Sequence, residues 1–143
     1  MSEESDTDLE FNDLMFAALD HGVESIADGA GPLIPFAIFI NNTGERVLQR
    51  FVTEQIEEGV EAAKNYVNGE KSNIKIYAIV WDGYITLDEK KYDAILVEAG
   101  ENNKEFGVLL AQRYEQKGMF KKKMNLIGNP ALAGKPASRV HGI

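Results

Sequence analysis

Two stretches of the chain repeat their apolar residues at helical spacing. After Thr7, and again after Thr53, apolar side chains recur every three or four residues. This spacing is typical of amphipathic helices that bury one face. Glycine and proline at 29–32, and Asn68-Gly69 later, stop the two patterns. We therefore predict two helices, ending near residues 28 and 68.

Other stretches are rich in β-branched and aromatic residues, as strands are. They are residues 33–41, 46–52, 74–87, 92–99 and 106–116. Turn-forming residues separate the neighbours, which predicts a hairpin followed by three antiparallel strands. Residues 120–127 favour a further strand.

Neither face of the sheet predicted for residues 74–116 is polar throughout. If the turns of this sheet are centred at residues 88–91 and 102–103, Trp81 lies opposite Glu98. One face then carries Ile76, Ala78, Val80, Asp82, Tyr84, Ile95, Val97, Phe106, Val108 and Leu110. The other carries Tyr77, Ile79, Trp81, Ile85, Leu87, Leu96, Leu109 and Ala111. A sheet that is apolar on both sides must be covered on both sides.

The dipeptide Asp82-Gly83 leaves two readings of the first of these strands. Asp-Gly between apolar runs is a strong signal for a tight hairpin turn, and a bulge at the same place would reverse the facing of the residues beyond it. A turn there leaves only residues 84–87 before the next turn signal, which is short for a strand. A bulge in one long strand is therefore favoured.

These elements predict an α+β fold with a mainly antiparallel sheet of five or six strands and both helices packed on one face. The order is α-β-β-α-β-β-β, with the further strand after it. We expect a disordered leader over residues 1–6, a single domain over 7–129, and an extended tail over 130–143, which has no apolar periodicity.

Composition narrows the class of protein. The chain of 143 residues has no cysteine and a formal charge of −8. No cysteine means no disulfide and no thiolate chemistry. The acidic start is unlike a secretory signal, and the longest apolar run, 33–40, is too short to span a bilayer. We therefore expect an acidic cytosolic protein that binds neither membrane nor nucleic acid, since the negative charge opposes binding to phosphate backbones.

Signatures of catalysis or cofactor binding are lacking. Five residues separate Gly128 from Gly134 where a phosphate-binding loop has four, and Pro136 follows Lys135 where such a loop has Ser or Thr. His21 and His141 lie at opposite ends of the chain, so neither has a partner at metal-ligand spacing. No Gly-x-Ser-x-Gly elbow is present. We expect no cofactor, no metal and no catalytic residue.

Six residues on the predicted strands are candidates for an interface or a ligand site: Tyr77, Trp81, Asp82, Tyr92, Glu98 and Arg113. The two acids stand among apolar residues, where desolvation raises a carboxyl pKa unless a cation or donor is near. The aromatic residues and the arginine are of the types enriched at protein interfaces.

Two hypotheses of function follow. The first is a protein-interaction or accessory module without catalytic activity, assembled as a homodimer through the second sheet face and open to a further protein partner. The alternative is a small ligand-binding domain or acid/base enzyme that uses Asp82, Glu98 and Arg113 in one pocket. The two differ in whether those three side chains converge on one cavity.

Overall fold

A computed structural model describes residues 6–27, 32–117 and 123–142. Its helices are α1 (Asp6–Ala27) and α2 (Ile56–Gly69), with a short 3-10 turn at Lys71–Asn73. Its strands are β1 (Phe36–Asn41), β2 (Arg46–Arg50), β3 (Ile74–Leu87), β4 (Lys90–Glu101), β5 (Val108–Lys117) and β6 (Lys123–Gly134). The predicted α+β fold is confirmed, and β6 is the further strand. Residues 1–5 of the predicted leader lie outside the described residues.

The six strands form one antiparallel sheet in the order β2-β1-β3-β4-β5-β6. Asp88 and Glu89 both have positive φ, 50° and 66°, and Leu87 pairs with Lys90 across them. This two-residue turn has the backbone of a type I′ hairpin. The predicted register is wrong by two residues, because Trp81 lies opposite Leu96 rather than Glu98. A shift of two leaves every side chain on its predicted face.

The predicted irregularity at Asp82-Gly83 is wrong. The pairing of β3 with β4 runs without a shift from Ile76 to Leu87, so the dipeptide forms neither a bulge nor a turn. Glycine at this position allows close packing across the sheet, since a Cβ added at Gly83 would lie 2.9 Å from Cδ1 of Leu96. The Asp-Gly pair therefore lies within a regular strand, with the Leu96 side chain packed over the glycine.

The two helices lie on opposite faces of the sheet, which corrects the prediction that both cover one face. Helix α1 packs with Ala78, Val80 and their neighbours in one buried cluster. Helix α2 contributes Ala63 and Val67 to a separate cluster, together with Tyr77 and Ile79. Successive residues of β3 thus belong to different cores, and each apolar face has a helix of its own.

The chain beyond residue 130 also differs from the predicted tail. Strand β6 continues to Gly134, and the residues after it return to the sheet. The Gly107 N–H donates to the Pro136 carbonyl at 2.7 Å, and the Ser138 N–H donates to the Glu105 carbonyl at 2.8 Å. Val140 is fully buried in the cluster under α2. A few anchors of this kind leave no periodic signal in the sequence.

Candidate functional site

Strand β3 is longer than the strand beside it. Strand β1 pairs with β3 only as far as Val80, whereas β4 pairs with it as far as Leu87. In the described part of the chain, residues 81–87 therefore have a strand on one side only. We call this segment the β3 edge.

The direction of the backbone groups along the β3 edge follows from a hydrogen bond near the start of the strand. The Asn102 N–H donates to the Lys75 carbonyl at 2.9 Å, so odd-numbered residues of β3 point their backbone groups at β4. The register has no irregularity after that point. Asp82, Tyr84 and Thr86 accordingly direct their N–H and C=O groups to the open side. Such a row of unpaired groups is a template for another strand.

A cavity of about 500 Å³ lies beside the β3 edge. Its lining comes from the start of α2, the β3 edge and β4: Ile56, Glu57, Val60, Glu61, Trp81, Asp82, Gly83, Tyr84 and Asp93. The first turn of α2 lies close to the backbone that follows β2. This approach needs a glycine at position 59, because a Cβ there would lie 2.8 Å from the Phe51 carbonyl oxygen. The volume is in the range of cavities that hold ligands.

We call it the acidic cavity, because the charged residues of its lining are all acids. Four of its lining residues are acids, and the lining formed by the described residues includes no lysine or arginine. Two described lysines lie against lining residues. Lys64 Nζ is 3.9 Å from Oε1 of Glu61 and 5.1 Å from the centre of the Trp81 ring, and Lys91 Nζ is 4.0 Å from the centre of the Tyr84 ring. Two lysines therefore stand against four carboxylates.

Asp82 is the most buried of these acids. The Tyr114 hydroxyl donates to its Oδ1 at 2.7 Å from the α1 side of the sheet. Burial raises the pKa of Asp82, the hydrogen bond from Tyr114 opposes this, and the charge of Asp93 adds to the rise. A cation placed in the cavity would relieve the same carboxylate.

Glu98 lies on the other face in a closed network. Arg139 donates to both of its carboxylate oxygens, from Nε at 2.6 Å and from Nη2 at 3.0 Å. The Tyr77 hydroxyl donates to Oε2 at 2.9 Å and accepts from the Arg139 N–H at 3.2 Å. Burial, followed by the charge of Glu98, raises the pKa of Tyr77. This carboxylate is paired and inaccessible, and its role is to fix the C-terminal segment.

Tyr92 and Arg113 form a third location. The guanidinium carbon of Arg113 lies 4.9 Å from the centre of the Tyr92 ring, a cation–π contact between two half-exposed side chains. Of the three charged candidates, only Asp82 lines the acidic cavity. Glu98 lies on the opposite face of the sheet from Asp82, and Arg113 contacts Tyr92 instead.

A second, apolar cavity of about 440 Å³ lies farther along the same face as α2. It is lined by Ile85, Thr86, Leu87, Ala111, Ala131, Leu132 and Ala133. Leu87 and Leu132 on its rim are 46% and 73% exposed. Strands β3 and β6 meet at this cavity although two strands separate them, so the sheet is strongly curved.

Sequence reasoning missed several residues of these sites. Glu57 and Glu61 fit equally well as acids that favour the start of a helix, and Arg139 was assigned to the tail. Tyr84 and Asp93 carried no signal beyond their place on a strand. Of the six candidates, Trp81 and Asp82 come together, as do Tyr77 with Glu98 and Tyr92 with Arg113.

Comparison of the chain with protein-family models, with curated proteins and with solved structures found no match. Neither α-helix in the described ranges combines the length and the hydropathy needed to cross a bilayer. Within the same ranges, no three His, Asp or Glu side chains are grouped so that they could hold a metal ion. A functional conclusion therefore depends on the geometry of the chain itself.

Proposed function

We propose that this protein is a non-catalytic binding module that takes up an extended segment of a partner protein as an additional strand beside β3. The observation that carries the proposal is the β3 edge. Asp82, Tyr84 and Thr86 direct their backbone groups to a side on which the described residues supply no strand, and the first two of them border a cavity. In this mode of recognition, main-chain hydrogen bonds supply affinity and pockets for alternate side chains supply specificity.

The dimensions of the β3 edge suit such a partner. A strand rises about 3.3 Å per residue, so residues 81–87 offer roughly 20 Å of edge. The cavity lies at the Trp81 end of this edge and accommodates a few side chains of the added strand. Burial of Trp81 against the incoming segment would give the aromatic anchor that binding sites of this kind use.

An acid/base function has less support. Asp82 is held by Tyr114 and Glu98 by Arg139, on opposite faces of the sheet. A general acid and a general base need to approach one substrate from within hydrogen-bond reach. The titratable groups near Asp82 in the described residues are the acids Asp93, Glu57 and Glu61 and the hydroxyls of Tyr84 and Tyr114, and no histidine, lysine or arginine lines the cavity with it.

The proposal can be tested with a phage-displayed library of random seven-residue peptides and a pair of variants at Thr86. Thr86→Pro removes an outward-pointing N–H and leaves the bonds to β4 in place, whereas Thr86→Val keeps that N–H. We expect selected peptides to bind Thr86→Pro at least about tenfold more weakly than the wild type and Thr86→Val about equally. Equal thermal midpoints of the two variants would establish that both are folded.

Binders that tolerate Thr86→Pro, or a library that yields none, would contradict recognition at the β3 edge. Peptides that bind another surface would bind Thr86→Pro as well as they bind the wild type. A change of affinity in Thr86→Val as large as in Thr86→Pro would assign the effect to the side chain rather than to the backbone.

Self-association through the α2 face is the second candidate function. Its specific support is the apolar cavity, whose rim exposes Leu87 and Leu132. Light scattering from micromolar solutions of the wild type and of Leu132→Asp is the test. A mass near 32 kDa, twice the 15.9 kDa chain, that falls to the monomer in the variant would support it. A monomeric wild type would contradict it.

A further inference from the structure

We infer that the segment accepted by the β3 edge is basic and carries two adjacent Lys or Arg residues where it passes Trp81 and Asp82. This inference rests on the proposed function, since it names the chemistry of the partner. Its basis is the arrangement of the acids around the acidic cavity with respect to the two faces of the sheet.

The four carboxylates are divided between the two faces. Asp82 bonds to Tyr114, which belongs to the buried cluster under α1, and Asp93 acts on the pKa of Asp82 from the same side. Glu57 and Glu61 project from α2, on the face where Trp81 packs. A strand added at the β3 edge therefore has acids above it and below it.

Successive side chains of a strand point to opposite faces. One residue of the added strand would thus approach Glu57 and Glu61, and the next would approach Asp82 and Asp93. The first would also approach the ring of Trp81 and the second the ring of Tyr84. These rings already attract Lys64 at 5.1 Å and Lys91 at 4.0 Å. Two neighbouring basic residues satisfy both sides at once.

An uncharged strand fits this cavity less well. It would partly desolvate four acids and give them no counterion beyond Lys64, which already lies near Glu61, and Lys91, which lies over the Tyr84 ring. A second copy of this chain is also a poor occupant. Antiparallel pairing of two β3 edges about Tyr84 would carry residues 88–91 of one copy toward Glu57 and Glu61 of the other. The two acids of that turn offset its two lysines, so a second copy would bring no net positive charge to the cavity.

The experiment is to sequence those library peptides whose binding is lost in Thr86→Pro and kept in Thr86→Val. We expect most of them to contain an adjacent pair of Lys or Arg. A representative selected peptide is then titrated against two double variants, with the fluorescence of Trp81, the only tryptophan, as the signal. Glu57→Gln/Glu61→Gln neutralises two acids of the cavity, and Asp13→Asn/Asp20→Asn neutralises two exposed acids of α1 as the matched control.

We expect the α2 variant to weaken binding at least about tenfold and the α1 variant less than about twofold, with the difference reduced at high salt. Peptides that depend on the β3 edge but lack basic residues would overturn this inference and leave the proposed function standing. Equal weakening by the two double variants would also overturn it, because only net charge would then matter. Absence of any peptide that depends on the β3 edge would overturn both proposals.

Discussion

The two halves of strand β3, residues 74–80 and 81–87, border acids that are held in opposite ways, and we call these halves its closed end and its open end. At the closed end Glu98, which pairs with Ile79 from β4, is bonded by Arg139 and Tyr77. At the open end the partly buried Asp82 has a single hydroxyl donor and borders an open cavity with three further acids. The first arrangement completes its charge balance within the chain, and the second leaves an excess of negative charge.

This difference between Glu98 and Asp82 indicates that Asp82 is the acid available for binding. Removing a charge from water is costly unless a counterion and hydrogen bonds replace the water. Arg139 meets that requirement for Glu98, so the charge of this carboxylate is balanced within the chain. At the β3 edge, backbone groups that no described strand pairs occur together with carboxylates that outnumber the nearby lysines, and an incoming basic strand would satisfy both.

The largest effect is expected at the closed end. Arg139→Ala leaves Glu98 buried without a counterion and should lower the free energy of unfolding by about 3–5 kcal/mol. Arg50→Ala, which removes an exposed arginine that contacts His21, is the matched control and should cost less than about 1 kcal/mol. Urea denaturation measures both. Equal small losses in the two variants would mean that the C-terminal segment does not hold Glu98 in solution.

The next effect is expected at the open end and concerns binding. Trp81→Ala should weaken the binding of a selected peptide by about 2 kcal/mol, roughly 30-fold, as loss of an aromatic anchor does. Tyr92→Ala removes an aromatic side chain that lies outside the acidic cavity and should change the affinity less than about twofold. Anisotropy of labelled peptides measures both. Comparable losses in the two variants would remove the distinction between this cavity and the rest of the sheet.

The smallest effect is a pH dependence at Asp82. Because burial raises its pKa, the native state binds more protons than the unfolded state between the ordinary carboxyl pKa and the raised value. Stability therefore decreases as the pH rises through that window. Asp82→Asn keeps the acceptor for Tyr114 and removes the charge, so it should be somewhat more stable than the wild type at neutral pH, with no difference below the ordinary carboxyl pKa.

Thermal unfolding at a series of pH values checks this prediction. Asp20→Asn, at an exposed position of α1, is the control and should follow the wild type throughout. If Asp82→Asn were instead less stable than the wild type at neutral pH and equal to it in acid, the native state would stabilise the carboxylate. That result would contradict a raised pKa at Asp82.

Much of the sheet could be predicted from the sequence, because alternation assigns faces. Ile79 and Val80 lie in different cores as their positions require. The register could not be predicted, since Asp88 and Glu89 adopt positive φ without the glycine or asparagine that signals it. Alternation also says nothing about which helix covers which face.

The candidate site could be predicted only in part. Trp81 and Asp82 stood out because an acid and a large aromatic interrupt an aliphatic strand. The β3 edge itself was not visible, because it depends on where β1 stops pairing, at Val80. The contribution of Glu57 and Glu61 depends on how α2 docks, which is a tertiary property.

Amide hydrogen exchange by NMR, with and without a selected basic peptide, tests the central claim most directly. In the free protein, the amides of Tyr84 and Thr86 should exchange quickly, whereas that of Ile85, which points to β4, should be protected. Addition of the peptide should slow exchange at Tyr84 and Thr86 and leave Ile85 unchanged. Protection of Tyr84 and Thr86 before the peptide is added, or protection that appears only along β6, would contradict an open β3 edge that receives a partner strand.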